Sequence, residues 1–187
     1  MDSITHGLSG IATSYLGIQQ KFGFAGTLVF TASTLFPDID FVFNFITDSI
    51  YVRYHRGFTH SFIYLPLFAL LLTLIFYPFI KSISFKNLYL ICFLGLFIHI
   101  SLDLINSYGT PVLIPFSSKQ YSLNLDIIID AFVFVPLLLG VVSIRIFPSF
   151  QKTTALIVIG IIILGIFLRF IQQYQAVILI RRLEPNN

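Results

Sequence analysis

Residues 87–107 read NLYLICFLGLFIHISLDLINS, an apolar run that carries His99 and Asp103 in its second half. A helix that crosses the hydrocarbon core of a bilayer needs about 20 mostly apolar residues, and this run has that length. An ionisable side chain at such a depth costs on the order of 3 kcal/mol unless it is paired, so the two residues are expected to share a partner. The run therefore predicts a transmembrane helix with a buried polar site.

Composition extends the membrane prediction to the whole chain. Of its 187 residues, 57% are hydrophobic and 10% are charged, which leaves too little polar surface for a soluble globule. Residues 61–80, 127–147 and 155–168 are further apolar runs, whereas residues 4–20 and 22–36 are short and rich in small side chains. The predicted fold class is all-α, a polytopic membrane helical bundle with a short N-terminal helical hairpin and about four transmembrane helices.

One domain is predicted over residues 1–187, with the polar motifs in residues 1–130 and a C-terminal helix with a basic tail in residues 154–187. The 11 Lys and Arg residues are scattered through loops and the tail, so nucleic acid is not an expected partner. The single cysteine, Cys92, excludes a disulfide framework and a cysteine-based zinc site.

All four histidines and six of the seven aspartates lie in short polar islands. The islands centre on Asp2 and His6, on Asp38 and Asp40, on His55 and His60, on His99 and Asp103, and on Asp126 and Asp130. Residues four apart, such as His99 and Asp103, lie on one face of a helix and can direct their lone pairs at one ion. The same spacing also fits a carboxylate that only orients a core imidazole, so spacing alone leaves both roles open.

The island after Pro37 contains two carboxylates, Asp38 and Asp40. Aspartate is common at helix caps and turns, so an ordinary turn is one interpretation. Two carboxylates this close repel one another unless a cation neutralises them, and binuclear metal sites use such pairs. Together with the histidines, this island favours metal ligation.

Residues 55–61 read HRGFTHS, with His55 and His60 on either side of Gly57. This spacing suits a loop that enters a helix, where both imidazoles can turn to one side. Arg56 carries a planar guanidinium group that suits phosphate or carboxylate oxygens. An ion pair with Asp48, or contact with a lipid headgroup, is the alternative role for Arg56.

The motifs PDID at residues 37–40, HRGFTHS at 55–61 and HISLDLINSYGT at 99–110, in this order, resemble the YdjM family of inner-membrane metal-dependent hydrolases, which is distantly similar to zinc-dependent phospholipase C. The resemblance runs from about Asp2 to Asp130. It implies a metal-dependent hydrolase on a helical scaffold, located as a multi-pass protein in the bacterial inner or cytoplasmic membrane.

The resemblance also implies roles for individual residues. The implied metal ligands are His6, Asp38, Asp40, His55, His60, His99, Asp103 and Asp130. The expected catalytic residues are Arg56, Asp40 and Asp103, and the expected substrate-binding residues are Arg56, Thr59 and Asn106. Mixed imidazole and carboxylate ligands favour two or three divalent ions, zinc first and manganese as the alternative. The expected substrate is a phosphoester in a membrane lipid or a lipid-linked molecule.

A different class of protein fits the same ligands, namely a divalent metal-ion transporter or a metal-binding membrane protein. Transport sites typically lie near the membrane midplane, on broken helices between repeated halves. Here the ligand candidates fall towards helix ends and loops, and no internal repeat is visible. The sequence therefore favours the hydrolase and keeps the transporter as its rival.

Overall fold

A computed structural model describes residues 1–39, 57–125 and 130–183 of the chain. These residues form six α-helices and, within the described ranges, no β-strand, so the prediction of an all-α membrane bundle is confirmed. The helices are α1 (Ser3–Ser14), α2 (Ile18–Leu35), α3 (Leu65–Phe76), α4 (Phe85–Ile105), α5 (Ala131–Ile146) and α6 (Gln151–Leu183).

The first two helices form the predicted N-terminal hairpin. Asp2 is the N-cap of α1, where its side chain accepts a hydrogen bond from the backbone nitrogen of Thr5. The turn lies at residues 15–17, earlier than the boundary at residue 21 that the sequence predicts. The later irregularity is a kink at Gly23, whose φ of 63° suits a residue without a Cβ atom. Pro37 follows the end of α2, as expected.

Among the described residues, three helical stretches are long and apolar enough to cross a membrane: Ile18–Ile39, Phe85–Ile105 and Pro148–Ile180. The second helix of the hairpin is therefore longer than predicted, whereas α3 and α5 are shorter than the apolar runs that contain them. Pro66 lies in the first turn of α3 and Pro78 follows its last residue, so prolines shorten the predicted span 61–80 from both sides.

Small residues let α2 pack closely against α1 on one side and α4 on the other. A Cβ atom added at Gly95 would lie 2.7 Å from Ser33 Cβ and 2.8 Å from the Phe30 carbonyl oxygen. A Cβ atom at Gly10 would lie 3.0 Å from Thr31 Cα. The two distances at Gly95 are too short for a real side chain, and the one at Gly10 leaves very little room, so glycine allows the close approach of these three helices.

The last two helices pack against each other and against α1. Gly140 of α5 lies against Val158 of α6, and the shared core contains Met1, Ala12, Val133, Leu137, Val158 and Ile162. This arrangement brings the beginning of α1 and the beginning of α5 to the end of the bundle where α2 and α4 finish. That end carries the polar motifs.

Candidate metal centre

Three buried histidines meet at this end of the bundle, each from a different element. His6 lies in the first turn of α1, His60 ends a short 3-10 helix that precedes α3, and His99 lies near the end of α4. All three side chains have no solvent exposure. Asp103, one turn beyond His99, is equally buried, and Asp38 is the most accessible member with 14% of its side chain exposed.

Four of these side chains bring one ligand atom each into a cluster around the Nε2 atoms of His60 and His99. The atoms are His60 Nε2, His99 Nε2, Asp38 Oδ1 and Asp103 Oδ2. His60 Nε2 lies 3.1 Å from His99 Nε2, 3.3 Å from Asp103 Oδ2 and 3.6 Å from Asp38 Oδ1. His99 Nε2 lies 3.5 Å from Asp38 Oδ1 and 3.6 Å from Asp103 Oδ2.

These distances fit a metal ion. A tetrahedral zinc ion with bonds of about 2.0–2.1 Å has ligand atoms roughly 3.3–3.4 Å apart, which falls within the observed range. The described residues can therefore hold a metal ion, and His6, Asp38 and His99 form a second group with metal-ligand spacing.

A backbone carbonyl determines which nitrogen of His99 faces this centre. Nδ1 of His99 lies 2.7 Å from the carbonyl oxygen of Thr34, which can only accept a hydrogen bond. Nδ1 therefore carries the proton and Nε2 carries the lone pair that a metal ion requires. Thr34 lies in the last turn of α2, where carbonyl groups lack partners within the helix.

His6 contacts the other oxygen of Asp103. Its Nε2 lies 3.2 Å from Asp103 Oδ1, and its ring stacks on the His99 ring at a centroid distance of 3.7 Å. The nitrogen of Met1 also donates a hydrogen bond to Oδ1. Asp103 thus faces His60 and His99 with one oxygen and His6 with the other, the arrangement of a carboxylate that bridges two positions.

The protonation state of His6 also suits ligation. His6 lies in α1, outside the three candidate spans, and burial together with the neighbouring His99 lowers the pKa of its imidazole to about 4. The ring is then neutral at pH 7. Among the residues that the structure describes, His6 Nδ1 has no hydrogen-bond partner. A buried nitrogen without a partner costs about 1–3 kcal/mol, so the atom indicates that a group is missing beside it.

The structure thus brings together five of the predicted ligands, His6, Asp38, His60, His99 and Asp103. Asp40, His55 and Arg56 lie outside the described residues, as does Asp126. Their predicted roles stay predictions.

Asp130, the predicted late ligand, makes different contacts. It caps α5 by accepting a hydrogen bond from the backbone nitrogen of Phe132 at 2.6 Å. Its other oxygen lies 2.6 Å from Nη1 of Arg169, which comes from α6. Among the described residues it belongs to neither group with metal-ligand spacing. These contacts favour a structural role for Asp130, and its role as a ligand stays a prediction.

Replacing Asp130 by asparagine is expected to lower the free energy of unfolding by about 1–3 kcal/mol, because Arg169 loses this carboxylate in a poorly solvated place. Bound metal per protein, measured by mass spectrometry on detergent-purified protein, should stay at the wild-type level. The double variant with Arg169→Gln should recover part of the lost stability. If the Asp130→Asn variant bound less metal than the wild type, Asp130 would be a metal ligand after all.

The two described residues predicted to bind substrate lie beside the ligands. Thr59 Oγ1 is 3.0 Å from His60 Nδ1, so the hydroxyl group orients that ring. Asn106 is fully buried after α4, and its Oδ1 accepts a hydrogen bond from the Tyr108 nitrogen at 2.9 Å. Within the described residues its Nδ2 has no hydrogen-bond partner, which leaves a buried donor near Asp103.

Two residues at the site have no counterpart in the sequence predictions. Thr34 orients His99 through its carbonyl group, and the Ser3 hydroxyl donates a 2.7 Å hydrogen bond to Asp38 Oδ2. Pro37 gave an indirect signal for Thr34, because a helix that ends there leaves its last carbonyl groups available. Serine near a helix start has an ordinary capping role, so no pattern distinguished Ser3.

Comparison with known proteins identifies the family of the chain. A family model described as YdjM inner membrane protein matches residues 1–176. An uncharacterized protein of Bacillus subtilis (strain 168), YfhP, is 34% identical over 142 residues. That match covers 72% of this chain but only 43% of YfhP, so the chain spans less than half the length of this relative. No solved structure matches the chain. The predicted family and the predicted multi-pass membrane location are confirmed.

Proposed function

The chain belongs to the YdjM family of inner membrane proteins, and from this premise we propose that it is a membrane-bound metal-dependent hydrolase. The proposed substrate is a phosphoester in a lipid or a lipid-linked molecule. Two divalent ions, zinc in the first place and manganese as the alternative, are the proposed cofactors.

One observation carries the proposal: the Nε2 atoms of His60 and His99 lie 3.1 Å apart, and each lies 3.3 to 3.6 Å from one oxygen of Asp38 and one of Asp103. Burying three imidazoles and a carboxylate without solvent exposure is costly for a helical bundle unless an ion or a reaction requires them. His60, His99 and Asp103, two imidazoles and a carboxylate, match in number and type the three protein ligands of hydrolytic zinc sites.

Divalent ions at this site would lower the pKa of a nearby water molecule and polarise a phosphoryl oxygen. The residues of the chain would position the ligands, accept a proton and bind the substrate. Asp103 fixes the positions of the His6, His60 and His99 rings through contacts with its two oxygens. Because this engagement occupies Asp103, we assign the role of proton acceptor to Asp40. Arg56 is assigned to the non-reacting phosphoryl oxygens, and the buried Nδ2 of Asn106 to an oxygen of the substrate.

The position of the cluster also supports a hydrolase over a transporter. Asp38 lies at the end of the candidate span Ile18–Ile39, and His99 and Asp103 lie near the end of Phe85–Ile105. Sites at the ends of spans meet lipid headgroups, whereas transport sites lie near the midplane. Asp38, the most accessible ligand, gives the cluster its contact with the exterior.

The direct test is an activity assay on protein purified in detergent and loaded with zinc or with manganese. The substrates are a panel of phospholipids and polyprenyl phosphates, and the readout is release of inorganic phosphate or of a water-soluble headgroup. We expect turnover that a chelator removes and that added metal restores. Absence of turnover on every ester, together with metal uptake into proteoliposomes, would establish the transporter instead.

Arg56→Lys separates the roles of metal and substrate binding. Lysine keeps the positive charge but loses the planar fork, so the variant should retain its metal and lose about 100-fold or more in turnover, as with removal of one charge-stabilising donor. Arg145→Lys, in the last turn of α5, is the matched control and should be neutral in both assays. Wild-type turnover in Arg56→Lys would remove Arg56 from the mechanism.

A further inference from the structure

The segment of residues 106–125 connects α4 to the residues before α5, and we name it the site loop. On one side it is tied to the segment that carries His60. The single hydroxyl proton of Ser61 is shared between two carbonyl oxygens, that of Ile114 at 2.6 Å and that of Val112 at 3.1 Å from Oγ. The Phe62 nitrogen donates to the Val112 carbonyl at 3.0 Å as well. The loop therefore sits directly beside the metal ligand His60.

The other side of the site loop is tied to the end of α4. The Leu123 nitrogen donates to the Leu104 carbonyl at 2.8 Å, and the Leu125 nitrogen donates to the Ile105 carbonyl at 3.0 Å. Within the loop, Thr110 and Tyr121 exchange two backbone hydrogen bonds. These hydrogen bonds fix the loop across the end of the bundle.

The outward surface of this loop is amphipathic, with Ser107, Ser118, Gln120 and Asn124 exposed beside large apolar side chains. Phe116 is 81% exposed, Tyr108 is 58% exposed and Leu123 is 50% exposed. The charged group within the loop, Lys119, lies over the ring of Tyr121 at 5.6 Å from its centroid. Aromatic rings and a lysine with a long aliphatic stem are the side chains that proteins place at the membrane–water interface.

Two helices indicate the depth of the loop in the membrane. The candidate span Phe85–Ile105 ends where the loop begins, so the loop starts at the boundary of the hydrocarbon core. Arg169 of α6 lies 3.4 Å from the carbonyl oxygen of Leu125, at the other end of the loop.

We infer that the site loop is an interfacial anchor: its exposed side chains Tyr108, Phe116 and Leu123 lie among the lipid headgroups and upper acyl chains of the host bilayer. The occupant of this surface is membrane phospholipid, because both ends of the loop are fixed at the edge of the core. A surface that mixes exposed aromatic and aliphatic side chains with polar ones suits the headgroup region, where both kinds of side chain find partners.

The anchor also determines how a lipid substrate reaches the site, a step that rests on the proposed hydrolase function. Ser61 links the loop to His60, so the metal centre is held at the level of the headgroups. A lipid phosphoester of the same leaflet then reaches Asp38 by lateral diffusion, without leaving the membrane. The depth of the loop is a property of the protein in any bilayer, and it is measured without an activity assay.

The chain contains no tryptophan, so a single substitution gives a clean fluorescent probe. Phe116→Trp exchanges one large aromatic ring for another, and Tyr108→Trp is a second probe in case the first perturbs the fold. Phe97→Trp, on the 44% exposed face in the middle of α4, is the matched control for the core of the bilayer. Each variant is placed in vesicles of phosphatidylcholine and phosphatidylglycerol.

Quenching is compared between lipids brominated near the glycerol, lipids brominated near the chain ends, and acrylamide in water. We expect the Phe116→Trp and Tyr108→Trp probes to be quenched most by bromine near the glycerol, and the Phe97→Trp probe most by bromine near the chain ends. Strong acrylamide quenching of both loop probes without quenching by either lipid would place the loop in water and overturn the inference. A depth equal to that of the control would overturn it as well.

Discussion

Replacing Asp103 by alanine is expected to remove most of the bound metal and to lower the stability of the protein in detergent. Asp103 is fully buried and contacts the Nε2 atoms of His6, His60 and His99 at 3.2 to 3.6 Å. Partners that only support metal ligands already change affinity by about 10–100-fold, so loss of this carboxylate should exceed that range. Loss of a buried charged partner adds about 3–5 kcal/mol of destabilisation.

Metal content by mass spectrometry and a thermal unfolding curve, both on the detergent-purified protein, measure the two effects. Thr73→Val is the matched control, because Thr73 is buried in α3, where its hydroxyl group donates a hydrogen bond to the Ala69 carbonyl. That variant should keep its metal. If Asp103→Ala also kept a full complement of metal, the cluster would be a structural polar core rather than a metal centre.

Replacing Gly95 by alanine is expected to destabilise the protein by about 1–3 kcal/mol and to weaken metal binding, although the substituted residue is not a ligand. The new methyl group would meet Ser33 Cβ at 2.7 Å and the backbone oxygen of Phe30 at 2.8 Å, so α2 and α4 must move apart. That movement separates Thr34 from His99, which lies one turn beyond Gly95, and releases the hydrogen bond that orients its ring.

Gly160→Ala gives a matched control for this prediction. A Cβ atom at Gly160 meets no described atom within 4 Å, and alanine favours a helix over glycine by about 1 kcal/mol. The control should therefore unfold at the wild-type temperature or above, with unchanged metal. Equal behaviour of Gly95→Ala and Gly160→Ala would show that close packing of α2 and α4 does not position the ligands.

The fold class followed from sequence because it depends on local properties. Apolar runs of the length of a bilayer, such as residues 87–107, give helices whatever their neighbours are. The lengths of individual helices were less predictable. Pro66 and Pro78 shorten α3 inside an apolar run, and Gly23 kinks α2 without ending it. Hydropathy values carry no information about these effects of proline and glycine on the backbone.

Some residues of the candidate site could likewise be predicted from the sequence, and others could not. His60, His99 and Asp103 could be selected from sequence because their residue types are rare in an apolar chain and costly to bury. The role of Asp130 could not be predicted, because its partner Arg169 comes from another helix. Thr34 acts through a backbone atom that every residue possesses, so residue type carries no information about it.

By itself, the sequence determined that this protein is a helical membrane protein of the YdjM family with buried histidine and aspartate side chains, since composition, run length and motif order are properties of the linear chain. Only the tertiary structure decided which of these side chains face one another. The distances among His6, Asp38, His60 and His99 depend on how closely α1 and α4 approach α2 at Gly10 and Gly95. Such contacts join residues far apart in the chain, and a shift of one ångström in helix packing would separate ligands that must converge within about 2 Å of one ion.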